Sequence, residues 1–319
     1  MKALVIDEYS HACLTDWPEP ELGPDQVLLK VHFSGVSAGT ERWMGTGAMR
    51  DPRYGAPPFV PGYQASGEVV ARGSRVADLA VGDLVVAFAP GSHAAYVQAP
   101  RSTVHAVPAK RMTDIASLFV QPSVGANALN QAMVAAGDSV LVIGQGLVGQ
   151  MTAQLARLRG AHVMASDISP VRLSMSKRYC ADSVVDASAG PIIEQVSGRV
   201  PSGFDVVIES IGMSSLLDDA LALVTPGGRF VFVGWHSDRV QFVFNHPHAK
   251  QIRAFFPSGI GPTQVANGVL GLMARGDLRL RPLITHTVQM QDAASVYNQL
   301  FTPESDQINA MVIDWRSSH

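Results

Sequence analysis

Three glycines in the stretch VIGQGLVGQ are spaced as Gly144-x-Gly146-x-x-Gly149, directly after an apolar run and at the head of a helix-like one. Such a set serves a tight turn, close approach of backbone to a pyrophosphate, and close helix–sheet packing. The helix start behind it offers unpaired N–H groups and partial positive charge to phosphates. The next apolar run ends in Asp167, 23 residues after Gly144, the spacing of a carboxylate that accepts a ribose 2′-hydroxyl. The chemistry implied is dinucleotide binding. Its candidates are Gly144, Gln145, Gly146, Leu147, Val148, Gly149, Asp167 and Ile168, with Arg172, Ser210, Ile211, Val233, Gly234 and Trp235 in the same set. A carboxylate at 167 takes both ribose hydroxyls but repels a 2′-phosphate, so NAD(H) is expected over NADP(H) unless Arg172, one helical turn on, rescues the phosphate. The plainer role of Arg172 is a solvated helix residue beside the adenosine ribose.

A second stretch, FVPGYQASGEVVARG (59–73), holds two sizeable polar side chains, Tyr63 and Gln64, between the backbone points Pro61-Gly62 and Gly67. By itself it allows two readings, surface filling or part of a reacting site.

The elements that must position these residues fall into two patterns. The first 120 residues read as short strands broken by Gly and Pro: Lys2–Asp7, Val27–Phe33, Gly67–Ala71, Leu84–Phe88 and Ala94–Gln98, the pattern of a small β-barrel-like domain. From about Pro122 the pattern changes. The apolar strands SVLVIG (139–144) and AHVMASD (161–167) alternate with helices at 147–160 and 170–179, the second with Pro170 in its first turn. DSVVDA, FDVVIES and GRFVFVG continue as strands, with helix-like stretches at 189–198 and 213–223. Continuous apolar strands alternating with helices imply a parallel sheet covered on both faces. A helix at 263–275, an extended stretch at 282–288, a helix at 292–301 and a last strand, INAMVID, complete the chain. The expected domains are 1–121, 122–259 and 260–319, the last returning to the first.

With 319 residues, two domains are the natural expectation. A composition of 47% hydrophobic and 16% charged residues is globular. The net charge of −3, without a basic block, excludes nucleic acid or an anionic membrane as the main partner. Cys13 and Cys180 follow no metal or redox spacing, which points to a reducing compartment. The start MKALVIDEYS reads as a strand and not a signal segment, and no apolar run reaches the roughly 18 residues of a membrane span. The expectation is a soluble, cytoplasmic protein.

A dinucleotide fold placed after a barrel-like domain, with the chain returning to that domain, resembles the medium-chain dehydrogenase/reductase family. PEPELGPDQVLLKVHFSGVSAGTE, VPGYQASGEVVARGSRVADLAVGDLVVAF, GSHAAYVQAP and VTPGGRFVFVG carry the resemblance over essentially the whole chain. It implies an α/β fold, a Rossmann-type doubly wound parallel sheet with a GroES-like β-barrel catalytic domain. Within the family, SGVSAGTER, VPGYQASG and MVIDWR resemble the bacteriochlorophyllide dehydrogenase-like subgroup, whose members oxidise a hydroxyethyl side chain to acetyl with NAD. Enzymes acting on other secondary alcohols share such a label, and the pigment substrate is not carried over.

The zinc alcohol dehydrogenases of this family hold a metal through a Cys, a His-Glu pair, and a Cys or Glu at the head of the cofactor domain. Aligned on the same motifs, this chain has Ser37 followed by an inserted Ala38, then Tyr63-Gln64, and Gln121 in LFVQPS. Neutral hydroxyls and amides are poor zinc ligands, and two cysteines cannot build the four-Cys structural lobe. His32, His93, His105, His246 and His248 show no ligand spacing. A metal-free site is the consequence, and hydrogen-bond donors must then stabilise the developing alkoxide, each worth roughly 3 kcal/mol when well placed.

By the resemblance, Tyr63 is a donor to the substrate oxygen or a packed aromatic. Thr40 stands where the family passes a proton to the nicotinamide ribose, and Ser37 where it has a metal ligand. Glu41 is a base or a structural carboxylate, and His93 a general acid or part of the cleft wall. Trp43 replaces a relay histidine, Asn309 a basic residue near the pyrophosphate, and Pro257 lies near the nicotinamide amide; His246 and His248 are surface or interface residues. The function implied is a zinc-independent NAD(H) oxidoreductase interconverting a secondary alcohol and a ketone on a bulky small-molecule substrate, with the loop at 43–58 shaping the cleft. The alternatives are an NAD(P)H-dependent enoyl or quinone reductase and a non-catalytic dinucleotide-binding sensor. The apolar strands VQFVF and QIRAFFP lie near the sheet edge that pairs in relatives, so a homodimer is expected.

Overall fold

A computed structural model describes residues 1–49, 55–196, 198–237 and 239–318. The 43–58 loop and the 189–198 helix expected from the sequence run in part over residues outside that set. The chain divides into two compact units, Met1–Val120 with Pro262–His319, and Gln121–Gly261.

In the first unit, β1 (Lys2–Glu8) and β2 (His11–Asp16) form an antiparallel hairpin. Five strands follow: β3 (Gln26–Val36), β4 (Gln64–Arg72), β5 (Leu84–Phe88), β6 (Tyr96–Pro100) and β7 (Val104–Ala106). Strand β3 shows why they close on a core. Val27, Leu29 and Val31 are buried while Leu28, Lys30 and His32 between them are only half-buried, the period of two of a strand with one face inward. Gly67 lies opposite Val31 where the β3–β4 ladder shifts register. A Cβ there would sit 2.1 Å from the Lys30 carbonyl oxygen, so only glycine lets the two backbones approach.

The second unit is a six-stranded parallel sheet. It comprises β8 (Ser139–Ile143), β9 (His162–Asp167), β10 (Ser183–Asp186), β11 (Phe204–Glu209), β12 (Val224–Phe232) and β13 (Arg253–Phe255), ordered β10-β9-β8-β11-β12-β13. Val140, Leu141 and Val142 are wholly buried, as expected for strands covered on both faces. The helix Leu147–Leu158 links β8 to β9. The helix Pro170–Tyr179 follows β9, and its N-cap Ser169 side chain accepts the Arg172 N–H. Strand order reverses between β8 and β11, and in open sheets of this kind ligands bind outside the carboxyl ends of the strands at such a point.

The chain then re-enters the first unit through the helix Thr263–Arg275 and strands β14 (His286–Gln289) and β15 (Met311–Asp314). Strand β15 runs antiparallel to β3, pairing Ile313 with Ser34, and completes a seven-stranded sheet. The expected α/β class is thus the observed one.

Several elements differ from expectation. VQFVF (240–244) is not a strand of the sheet: its backbone pairs with no strand among the described residues, and Val240, Phe242, Val243 and Phe244 are exposed. An apolar pattern marks a surface wanting cover, and here β13, the edge strand of the parallel sheet, ends the ladder. The extended stretch 282–288 begins as a 3₁₀ turn, Arg281–Leu283, around Pro282, and the helix at 292–301 tightens to 3₁₀ after Tyr297. No helix of the described residues is long and apolar enough to cross a membrane.

Candidate active site

Ser37 is the N-cap of the helix Ala38–Gly45, which leaves the end of β3, and Tyr63-Gln64 enter β4 beside it. The register that pairs Ser34 with Ala65 makes these two segments neighbours at one end of the sheet. Tyr63 is 8% exposed, its ring edge-on to Phe88 at 5.9 Å. The 61–63 backbone is zipped to 89–93: the Pro61, Gly62 and Tyr63 carbonyls accept the N–H groups of His93, Gly91 and Ala89. Gln64 is wholly buried and its Oε1 accepts the Val120 N–H at 3.1 Å. The amide therefore ties down the chain at the start of the helix Val120–Gln131. Gln121, the next residue, is buried too.

Glu41 and His93 are brought together. Neither is exposed, and Glu41 Oε2 lies 2.8 Å from His93 Nε2. The same oxygen accepts the Tyr297 hydroxyl at 2.8 Å, and Oε1 accepts the Ser37 N–H at 2.8 Å. His93 Nδ1 lies 2.8 Å from Ser34 Oγ, which also accepts the Trp315 indole N–H at 2.8 Å. Every partner is satisfied when the imidazole proton sits on Nε2 and Ser34 donates to Nδ1. Gly62 seats the ring: its φ is +81°, and a Cβ there would meet three ring atoms of His93 within 2.8 Å. The sequence leaves Glu41 a base or a structural carboxylate and His93 a general acid or part of the cleft wall; burial and mutual bonding join them in a brace under Ser37 and Gly62, which fits the structural carboxylate. Thr40, half-buried on the same helix, has its Oγ1 3.4 Å from the Ser37 hydroxyl, which donates to it. Sequence reasoning missed Ser34, Tyr297 and Trp315, because no spacing links residues so far apart in the chain.

Ser37, Tyr63, Gln64 and Gln121 supply hydroxyls and amides, and among the described residues no three His, Cys, Asp or Glu side chains lie together so as to hold an ion. His32 is half-buried and His105 buried on other strands, while His246 and His248 are exposed on the short helix Asn245–Ala249. The buried thiol of Cys180 is pushed up to about 11 by its apolar surroundings, which leaves it inert.

In the second unit the glycine loop has the form a dinucleotide needs. Gly144 has φ +91°, and a Cβ there would strike Ile211 at 2.6 Å and Ser210 Oγ at 2.9 Å. At Gly149 a Cβ would lie 1.9 Å from the Gly144 oxygen. At Gly146 nothing lies within 4 Å, which leaves room for a pyrophosphate against the backbone. Ser210 Oγ donates to the Ile143 and Gly144 carbonyls, both at 2.9 Å, and so braces the loop from β11. Asp167 ends β9 with one oxygen accepting the Gln145 N–H at 2.6 Å and the other the Ser169 N–H at 2.8 Å. A carboxylate has about four acceptor positions, so lone pairs remain for two ribose hydroxyls.

The other candidates divide by burial. Leu147 is buried, whereas Val148, Arg172, Ser210, Ile211, Val233 and Gly234 are half-buried and Ile168 and Trp235 exposed. The Gln145 side chain turns inward, donating to the Val142 and Gly144 carbonyls and accepting from Ser176, so only its backbone faces the loop. Asn309 is buried in the first unit with its amide on the Leu283 carbonyl, and Pro257 is half-buried in the second.

Residues 23–109 match the family described as alcohol dehydrogenase GroES-like domain, and residues 148–275 the one described as zinc-binding dehydrogenase. These matches support the medium-chain dehydrogenase/reductase family for this chain and make it an oxidoreductase with a Rossmann-type sheet and a GroES-like domain. It is similar, at 27% identity with 99% of each chain covered, to L-threonine 3-dehydrogenase of Rhizobium etli. At 27% identity, covering 93% of each, it is similar to D-xylulose reductase A of Aspergillus oryzae. A solved structure from Sinorhizobium meliloti 1021, bound to NADP, shares the fold with TM-score 0.86 at 24% identity, covering 98% of both chains. The two curated relatives support alcohol–ketone oxidoreduction on a small molecule; the solved structure shows the fold.

Proposed function

We propose that the chain is a zinc-independent, NAD(H)-dependent oxidoreductase that interconverts a secondary alcohol and a ketone. One observation carries the reading: where zinc-dependent relatives present metal ligands, this chain has Ser37, Tyr63 and Gln64, and Gln64 is committed to the Val120 N–H. Bound nicotinamide supplies the hydride acceptor or donor at its C4. The loop from Gly144 to Gly149 would hold the pyrophosphate, and Asp167 the adenosine ribose. In the first unit Tyr63 and Thr40 hold the substrate oxygen, while the Glu41–His93 brace keeps the helix carrying Thr40 and the turn carrying Tyr63 in place. Without a metal these hydroxyls are the groups available to stabilise the developing alkoxide. Replacing Tyr63 with Phe and Thr40 with Val tests the assignment: a drop in kcat of about 10²–10³ for the oxygen-holding group supports it, and unchanged turnover of an accepted secondary alcohol overturns it.

A second reading of the cofactor has its own observation. Arg172 Nε is buried and has no hydrogen-bond acceptor among the described residues. A 2′-phosphate would supply one, which favours NADP(H) and with it an enoyl or quinone reductase. A fluorescence titration in which NADPH binds much more tightly than NADH selects this reading; the reverse order selects the first. We also propose a homodimer through the β13 edge, beside which Phe256 is exposed, with Val240, Phe242, Val243 and Phe244 also exposed on the segment between β12 and β13; sedimentation as a monomer at micromolar concentration would refute it.

A further inference from the structure

Glu209 closes β11 at the carboxyl end of the parallel sheet, on the far side of the switch point from Asp167. It is wholly buried. Oε1 accepts two backbone N–H groups of the turn that follows, from Ile211 and Gly212, each at 2.6 Å. Oε2 lies 3.2 Å from His236 Nε2 in the loop after β12, and His236 Nδ1 lies 3.4 Å from Ser214 Oγ. The Glu209 carbonyl accepts the N–H groups of Val233 and Gly234 from that same loop. Gly234 is pressed between the two segments: a Cβ there would sit 2.2 Å from the Gly212 nitrogen and 2.8 Å from Glu209 Oε2. The His236 ring also packs edge-on to Phe232 at 6.0 Å. One carboxylate and one imidazole thus clip together the turn at 210–214 and the loop at 233–236.

We infer that the Glu209–His236 pair is a latch that positions these two segments for the nicotinamide half of the cofactor and sets the affinity for it. The inference rests on the dinucleotide site proposed above. A dinucleotide bound across a switch point places one half on each side of it. Asp167 on β9 marks the adenosine side, so the nicotinamide side falls to the ends of β11 and β12, where the latch joins them. Neither latch residue need touch the cofactor; both act through the backbone of 210–212 and 233–234. The segments are short and follow directly on the ends of β11 and β12, so a carboxylate that fixes both at once removes freedom that binding would otherwise have to remove.

The test compares two ligands on the purified full-length chain, NADH and ADP-ribose, the second lacking the nicotinamide. His236→Phe keeps the ring against Phe232 and removes both nitrogens. It is expected to raise the Kd for NADH about tenfold, the equivalent of about 1.4 kcal/mol, while the Kd for ADP-ribose stays within about twofold. His236→Gln, which returns a donor near the Nε2 position, is expected to recover most of the NADH affinity. If the Phe variant melts early, His236→Ala carries the same expectation. A folded variant that binds NADH like the wild type overturns the latch. Equal weakening of NADH and ADP-ribose also overturns it, since the pair then merely supports the unit. A wild-type chain that binds neither ligand would instead remove the dinucleotide site itself, and the latch with it.

Discussion

Two glutamates, Glu41 and Glu209, are each shut off from solvent, take backbone N–H on one oxygen (one for Glu41, two for Glu209), and face an imidazole with the other. Their partners differ in reach. Glu41 gathers His93 from 52 residues away and Tyr297 from 256, and through Ser34 the brace extends to Trp315. Glu209 gathers only its own turn and His236, 27 residues on. The first pair therefore binds the beginning of the chain to its end, while the second shapes two neighbouring loops. The same chemistry serves stability in one unit and local geometry in the other. The difference follows from what the backbone has to close: a sheet completed by its last strand, against a parallel sheet whose ligand site lies at strand ends.

The largest effect that could break this contrast is on folding. Glu41→Ala strips an acceptor from three donors and is expected to cost about 3–5 kcal/mol, the range for removing one partner of a buried pair. Denaturant unfolding measures it, and an equal loss in Glu209→Ala would erase the distinction. Gly62→Ala comes next, because its Cβ must enter the His93 ring at a φ of +81°. Overpacking of that kind costs about 1–3 kcal/mol, read as a lower unfolding midpoint; an unchanged midpoint would mean the ring is not seated there.

A third carboxylate sharpens the comparison, since Asp167 keeps lone pairs for a ligand. Asp167→Asn removes the charge that repels a 2′-phosphate and is expected to move the NADH-to-NADPH affinity ratio about tenfold toward NADPH, or about 1.4 kcal/mol. Paired titrations check it, and an unmoved ratio would take cofactor choice away from this residue.

The smallest effect concerns an imidazole that has no carboxylate. His105 is buried, its Nδ1 is 3.0 Å from Asn267 Oδ1, and its Nε2 has no partner among the described residues. Burial holds its pKa below the ordinary histidine value. The unfolded chain then binds more protons in mildly acid solution, so the neutral ring's contribution is full above about pH 6.5 and is lost as pH falls below it. His105→Phe should flatten the fall in the urea midpoint between neutral and mildly acid pH. A fall as steep as the wild type's would assign it elsewhere, first to His32, whose pKa burial also lowers.

Much of the frame was legible because it repeats with short periods. The apolar strands β8, β9, β11 and β12, and the helix behind Gly144-x-Gly146-x-x-Gly149, follow from local pattern alone. So does Gly67, whose lack of a side chain is required by Lys30. Two short strands, β2 and β7, were not legible, since each is held by a neighbour and not by its own pattern; β13 falls within the apolar run QIRAFFP. The candidate site was legible only by position. Resemblance pointed to Glu41 and His93, but only coordinates show them closed on one another, and Tyr297, Ser34 and Trp315 have no sequence signal at all. His236 was hidden likewise, three residues past Val233, in a loop whose meaning depends on Glu209.

Chemistry without zinc is open to direct measurement. The direct measurement is metal content of the purified chain alongside NAD-linked oxidation of secondary alcohols, before and after dialysis against a chelator. The prediction is far less than one zinc per chain and turnover unchanged by the chelator. One zinc per chain, with activity that falls on its removal and returns on its addition, would contradict it.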